Sequence, residues 1–241
     1  MIKSKKKIIL LTGGLGYIGS HTCIELVNKN YLPLVIDNYY NSYKSTLGCL
    51  KKIIGSNYIF EKGDVSDKSF LKKLFQNYKI YGVIHFAALK SIPESFVQPK
   101  KYYKINVNGT KNLLKICGQF NCNKFVYSST AAIYSENSNP PFNEDSQIDT
   151  KSPYSKTKYQ SEKEIINYSK KNLDFNYIIL RYFNPVGAHK SGLITEKPKK
   201  KLGNLMPEIC SVASSKKLLK IFGNQYNTID GTCIRDFIHI D

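Results

Sequence analysis

Tyr154 and Lys158 stand four residues apart in the run Ser152-Pro153-Tyr154-Ser155-Lys156-Thr157-Lys158. On a helix that spacing puts phenol and ammonium on one face, where a fixed positive charge favours the phenolate and lowers the tyrosine pKa. Tyr154 is therefore a candidate base and Lys158 its partner. Upstream, Gly13, Gly16 and Gly19 follow an apolar run in Thr12-Gly13-Gly14-Leu15-Gly16-Tyr17-Ile18-Gly19. Such glycines let the backbone turn tightly, approach a pyrophosphate and present the first N–H groups of a helix to it. Asp37 comes 18 residues after Gly19, at the end of the next apolar run. There a carboxylate can accept hydrogen bonds from the adenosine ribose and repel a 2′-phosphate. Asn38 and Tyr39 supply no arginine to hold such a phosphate, so the expected cofactor is NAD. Asp64 and Val65 after the third apolar run could contact the adenine. Phe86, Ala87 and Lys90 after the fourth could line the cofactor path. Together these residues suggest redox chemistry on a bound dinucleotide.

Positioning them requires strands that end at the site and helices that return the chain. Apolar runs at 7–11, 34–36, 58–61, 82–86, 124–127 and 177–180 alternate with helical stretches at 17–30, 66–76, 99–119 and 153–171. That alternation predicts βαβ units and an α/β fold with a doubly wound, Rossmann-like parallel sheet. Loop-like segments at 136–141, 184–192 and 223–231 are expected near the carboxyl ends of the strands, where ligands bind. After about Pro185 the rhythm fades. The expected division is a dinucleotide-binding domain over 1–184 and a smaller substrate region over 185–241.

The composition narrows the classes of function. With 241 residues and 41% hydrophobic content the chain can bury a sizeable core. No apolar run has the roughly 18 residues of a membrane span, and the segment after the first lysines is too short for a signal-peptide core. A cytoplasmic protein is expected. Six cysteines at irregular spacing form no C-x-x-C pair and no metal cluster, so they read as reduced thiols packed inside, with no metal site. The formal charge of +18 comes from lysines scattered along the whole length, with no nucleic-acid recognition signature. A solvated basic surface is expected, with no nucleic acid as partner.

Further stretches carry a resemblance: Asn41-Ser42, Asn106-Val107-Asn108-Gly109-Thr110, Tyr127-Ser128-Ser129-Thr130-Ala131, Arg181-Tyr182-Phe183-Asn184-Pro185, Asn204-Leu205-Met206-Pro207, Ile221-Phe222-Gly223-Asn224 and Thr232-Cys233-Ile234-Arg235-Asp236. With the motifs above, the chain resembles the extended short-chain dehydrogenase/reductase superfamily and, within it, the UDP-glucose 4-epimerase family, over essentially its whole length. The resemblance implies tightly held NAD and reversible interconversion of UDP-glucose and UDP-galactose through a 4-keto sugar, a step of galactose metabolism. It implies that Tyr154 takes the proton of the sugar 4-hydroxyl, that Lys158 holds the nicotinamide ribose and keeps Tyr154 ionised, and that Thr130 bridges sugar and tyrosine. Gly13, Gly16, Tyr17, Ile18, Gly19, Asp37, Asn38, Asn41, Ser42, Asp64, Val65, Phe86, Ala87, Lys90, Asn106 and Phe183 carry over as cofactor contacts. Lys90, Asn184, Asn204, Leu205, Phe222 and Arg235 join Thr130 and Tyr154 on the substrate. Arg235 is assigned to the diphosphate and Phe222 to the uracil. Related 4,6-dehydratases carry an Asp-Glu pair where this chain has Ala131-Ala132, which argues against dehydration. A homodimer formed through two packed helices is implied as well. Family members continue past the point matching Asp241, so the substrate region is expected to be truncated. A catalytically idle NAD-binding module serving as a scaffold or regulatory partner is the alternative expectation.

Overall fold

Apolar runs that must bury both faces, separated by helix-forming stretches, form a parallel sheet covered by helices on each side. A computed structural model describes residues 6–138, 140–199, 204–215, 218–221 and 223–241. Its strands are β1 (Ile8–Thr12), β2 (Leu32–Asp37), β3 (Ile59–Lys62), β4 (Ile80–His85), β5 (Lys124–Thr130) and β6 (Asn176–Tyr182). They pair in parallel in the order β3-β2-β1-β4-β5-β6. The order reverses between β1 and β4, so a crevice opens at their carboxyl ends.

Successive side chains of a strand face opposite sides, and β1 shows the consequence. Leu10 belongs to a core with Leu34, Val83, Leu113, Phe125 and Ile165, whereas Leu11 belongs to another with Cys23, Ile24, Val35 and Leu50. Both leucines are fully buried, which stabilises the fold by roughly 1.5–3 kcal/mol each. The helices are α1 (Tyr17–Asn28), α2 (Ser45–Ile54), α3 (Lys68–Asn77), α4 (Ile92–Val97), α5 (Pro99–Tyr102), α6 (Gly109–Gln119) and α7 (Pro153–Lys171). Helix α7 has the predicted bounds because its start is doubly specified. Pro153 occupies the first turn, and Ser152 and Ser155 cap each other reciprocally.

Two expectations are corrected. The stretch 99–119 is not one helix, because a π-helical turn at Tyr103–Asn108 separates α5 from α6. Helices α2 and α4 were not predicted, since each is only ten or six residues long, too short for a helical period to stand out. Beyond β6 come β7 (Asn184–Val186), α8 (Leu205–Ala213) and β8 (Phe237–His239), with β7 and β8 paired in parallel. Helix α8 buries no residue. The thiol expectation holds in part: all six cysteines are free, and Cys23, Cys117 and Cys122 are buried, but Cys210 and Cys233 are exposed. No helix among the described residues is long and apolar enough to cross a membrane.

Candidate active site

The glycine-rich loop has backbone where side chains would otherwise sit. Gly13 adopts φ +67°, and a Cβ there would lie 2.8 Å from Ala87 N. On Gly19 a Cβ would lie 2.4 Å from the Gly13 carbonyl oxygen. Helix α1 begins at Gly16 without a side-chain cap, so its first N–H groups are open to an anion. At the end of β2 the Asp37 carboxylate accepts from Leu15 N at 3.2 Å, Tyr39 N at 2.8 Å and Ser42 Oγ at 2.6 Å. Those three donors fix it at the rim. Asp64 accepts from Asn38 Nδ2 at 2.6 Å and Ser66 N at 2.7 Å. Burial raises its pKa, but the Ser66 and Asn38 hydrogen bonds outweigh burial and leave it below the usual value. A cradle that tolerates only glycine, next to a fixed carboxylate, fits a dinucleotide with a free 2′-hydroxyl.

The cleft running from this loop past the end of β5 has a volume of about 2150 Å³. A single small ligand occupies roughly 300–1,000 Å³, so there is room for a second molecule beside a dinucleotide. Every expected cofactor residue lines the cleft except Asn106. Asn106 stands behind that lining: it is buried, accepts from Leu89 N at 2.8 Å and donates to Leu89 O at 3.1 Å and Thr157 Oγ1 at 3.0 Å. Its amide is fully engaged in holding the loop after β4 against α7, and Ile105 takes the place on the wall.

The chemical end of the cleft is built by β5 and α7. Lys158 is buried and donates to the Ser128 carbonyl at 2.7 Å, with its ammonium 4.9 Å from the centre of the Tyr127 ring. Burial lowers its pKa to about 7, against the opposing charge of Glu162. Tyr154 is partly buried, and burial pushes its pKa up while the Thr130 hydroxyl pulls it down. Burial and the Thr130 hydroxyl, rather than the Lys158 charge, set the direction of the Tyr154 shift. The lysine reaches the end of β5, and desolvation dominates both groups. Beneath them His85 is buried between Thr12 Oγ1 at 2.7 Å and Thr110 Oγ1 at 3.1 Å. Burial, then the charge of Lys158, lowers its pKa to about 3.

Sequence reasoning missed an ion pair that supports this group. Glu162, one turn beyond Lys158, is buried and accepts from Arg181 Nε at 3.2 Å and Nη2 at 2.9 Å, and from Ser129 Oγ. The repeat of polar residues at 154, 158 and 162 was its available signal. Arg181 also donates to Tyr134 Oη at 3.1 Å, and its pKa is raised chiefly by the Glu162 hydrogen bonds.

Residues from beyond β6 close the other wall. Asn184, Asn204, Leu205 and Arg235 all line the cleft, whereas Phe222 lies outside the described residues. The Asn184 amide donates to the Asp236 carbonyl at 2.8 Å, tying β7 to the segment that carries Arg235. Phe183 stacks with Tyr134 and Phe142, each 6.4 Å away. Tyr17 donates from its hydroxyl to the Gly187 carbonyl at 2.7 Å, joining the glycine loop to this wall.

Comparison with known proteins agrees with this geometry. The profile of the "NAD dependent epimerase/dehydratase family" matches residues 9–241. A UDP-glucose 4-epimerase of Caenorhabditis elegans is 43% identical over 243 residues, covering 96% of this chain and 70% of the relative. One from Haemophilus influenzae is 44% identical, covering 96% and 69%. Among solved structures, UDP-glucose 4-epimerase of Bifidobacterium longum in complex with NAD+ and UDP superposes with a TM-score of 0.91 at 38% identity, covering 97% of this chain and 70% of that one. The Stenotrophomonas maltophila enzyme, with bound NAD and a formylated UDP-arabinopyranose, gives 0.92 at 36% identity, covering 98% and 70%. With its glycine loop, its Tyr154–Lys158 pair and this likeness along its length, the chain belongs to the NAD dependent epimerase/dehydratase family, among the UDP-glucose 4-epimerases.

Proposed function

We propose that this protein reversibly inverts C4 of UDP-glucose and UDP-galactose, with NAD as its resident cofactor. The observation that carries the reading is the convergence of Thr130, Tyr154 and Lys158 in the cleft that also holds the glycine loop and Asp37. The glycine loop and the open start of α1 would hold the pyrophosphate, Asp37 the adenosine ribose, and Lys158 the nicotinamide ribose. NAD, when bound, supplies the two-electron acceptor and donor for C4 and a positive charge that favours the phenolate. Tyr154 as phenolate accepts the proton of the sugar 4-hydroxyl and returns it once the 4-keto sugar has presented its other face. Thr130 can donate to one oxygen and accept from the other, so it relays between sugar and tyrosine. Net redox change is zero. Ala131 and Ala132 place no acid beside Thr130, which supports epimerisation over dehydration.

Asn184, Asn204, Leu205 and Arg235 are the proposed hold on the nucleotide sugar, Arg235 through a permanent charge suited to a diphosphate. We also infer, from family resemblance, a cytoplasmic homodimer that works in galactose metabolism. The test is to incubate the purified protein with UDP-galactose and measure UDP-glucose. Turnover without net NADH is expected. A protein that retains NAD and binds UDP yet converts none of the sugar would overturn the reading.

A further inference from the structure

Lys158 carries a charge into the interior, where it is only 3% exposed, and the groups around it decide whether that charge survives there. On α7, Tyr154 and Glu162 stand one turn to either side of it. Glu162 is the carboxylate nearest in sequence, but Arg181 takes both of its oxygens and Ser129 donates to one of them. Its charge is therefore compensated largely by Arg181. From β4 comes His85, where burial, then the Lys158 charge, lowers the pKa to about 3 and keeps the ring neutral. From β5 come the Ser128 carbonyl, at 2.7 Å, and the Tyr127 ring, whose centre lies 4.9 Å from Lys158 Nζ. That ring is itself held firmly: Tyr127 is 1% exposed, and the His85 ring packs against it with 5.7 Å between centroids.

An aromatic ring is negative on its faces, so a cation within about 6 Å of the ring centre is attracted, most strongly where water is excluded. The Tyr127 hydroxyl, by contrast, is buried without a hydrogen-bond partner among the described residues. The nearby hydroxyls of Ser161 and Thr110 donate to the Asn106 carbonyl instead. A buried hydroxyl left unpaired costs stability, so the hydroxyl does not account for this side chain. We propose that Tyr127 is a positioning residue for the reaction: its ring face holds the Lys158 ammonium, charged and in place at the end of β5, beside Tyr154 and the site of the nicotinamide ribose. The role belongs to the ring and not to the hydroxyl. What Lys158 then does rests on the proposed function, whereas the hold of ring on ammonium does not.

The experiment follows the Lys158 amine directly, by NMR of protein containing isotope-labelled lysine, with its signal assigned by its loss in Lys158→Met. The parent is compared with Tyr127→Phe, Tyr127→Leu and proteins carrying phenylalanine of increasing fluorine content at position 127. Fluorination keeps the shape of the ring while draining charge from its face. The Lys158 titration midpoint, about 7 in the parent, is expected to fall by about one pH unit in Tyr127→Leu and stepwise along the fluorinated series. Tyr127→Phe keeps the ring face and is expected to retain the midpoint. At neutral pH, kcat for UDP-galactose is expected to be about fivefold lower in Tyr127→Leu than in Tyr127→Phe, following the charged fraction of Lys158, with KM unchanged. A midpoint that stays constant along the fluorinated series overturns the proposal, even if Tyr127→Leu fails to fold. So does a fall in Tyr127→Phe as large as that in Tyr127→Leu. Midpoints that move as expected in a protein that converts no UDP-galactose bear out the hold on Lys158 and overturn the proposed function instead.

Discussion

Burial sets the protonation of the residues around the reacting centre. It raises the Tyr154 pKa, lowers that of Lys158 to about 7, and lowers that of His85 to about 3. Tyr154→Phe removes the base while leaving the ring in place. We expect kcat for UDP-galactose to fall by about 10²–10⁴ with NAD content and UDP affinity retained, measured by stopped assay, absorbance and calorimetry. A loss of NAD together with activity would instead assign Tyr154 to holding the cofactor. His85 predicts an acid weakness of the fold. Unfolded, it titrates near 6.5, and folded near 3, so between those values the unfolded chain binds more protons. Stability is unaffected by this group above about 6.5 and falls as pH drops toward 3, by a few kcal/mol at most at about pH 4.5. Urea unfolding between pH 7 and 4.5 should therefore show a smaller loss of stability in His85→Asn than in the parent. An equally steep loss would place the acid sensitivity elsewhere.

At the scale of elements, α7 carries chemistry and support on one stripe, with Tyr154, Lys158 and Glu162 at successive turns. Its bounds were legible in the sequence because Ser152, Pro153 and Ser155 specify a start locally. Glu162 was not legible as a partner, since Arg181 lies on β6 and only the pairing of β5 with β6 brings it near. Arg181→Met leaves a buried carboxylate unpaired. It should cost about 3–5 kcal/mol of stability by chemical denaturation, and lower kcat through displacement of α7. The loop between β1 and α1 gives a different outcome. Gly19→Ala forces a Cβ against the Gly13 carbonyl, so NAD content should drop below detection in the purified protein while the far-UV circular dichroism stays unchanged.

Across the whole molecule, the strap 188–199 connects the two walls of the cleft. Lys199 Nζ donates to the Tyr39 carbonyl at 2.5 Å, and Lys197 and Lys199 lie over the Tyr43 ring at 5.2 and 5.3 Å. These exposed contacts are individually weak, so the buried Ile194 side chain carries the attachment. Ile194→Ala should lower unfolding stability by about 2–5 kcal/mol and speed limited proteolysis within the strap. Equal proteolysis of parent and variant would show the strap is held by other contacts. No segment near 194 announces this in sequence, because the apolar pair Leu193-Ile194, between Gly192 and Thr195, is too short to show a period.

The sequence by itself determined the six strands, the parallel doubly wound class of their sheet, the glycine cradle with Asp37 and the Tyr154–Lys158 pair. Each of these rests on local rules: hydrophobic runs, turn residues and helix spacing act within a few residues of one another. Only the tertiary structure decided that Asn106 holds a loop and does not line the cleft, that Lys158 reaches a strand carbonyl, and that Arg181 and Ser129 converge on Glu162. It also set the Lys158 ammonium over the Tyr127 ring. Those arrangements depend on which strand lies beside which and on how deeply each group is buried. Desolvation and long-range pairing are properties of the packed molecule and have no signature in residue spacing.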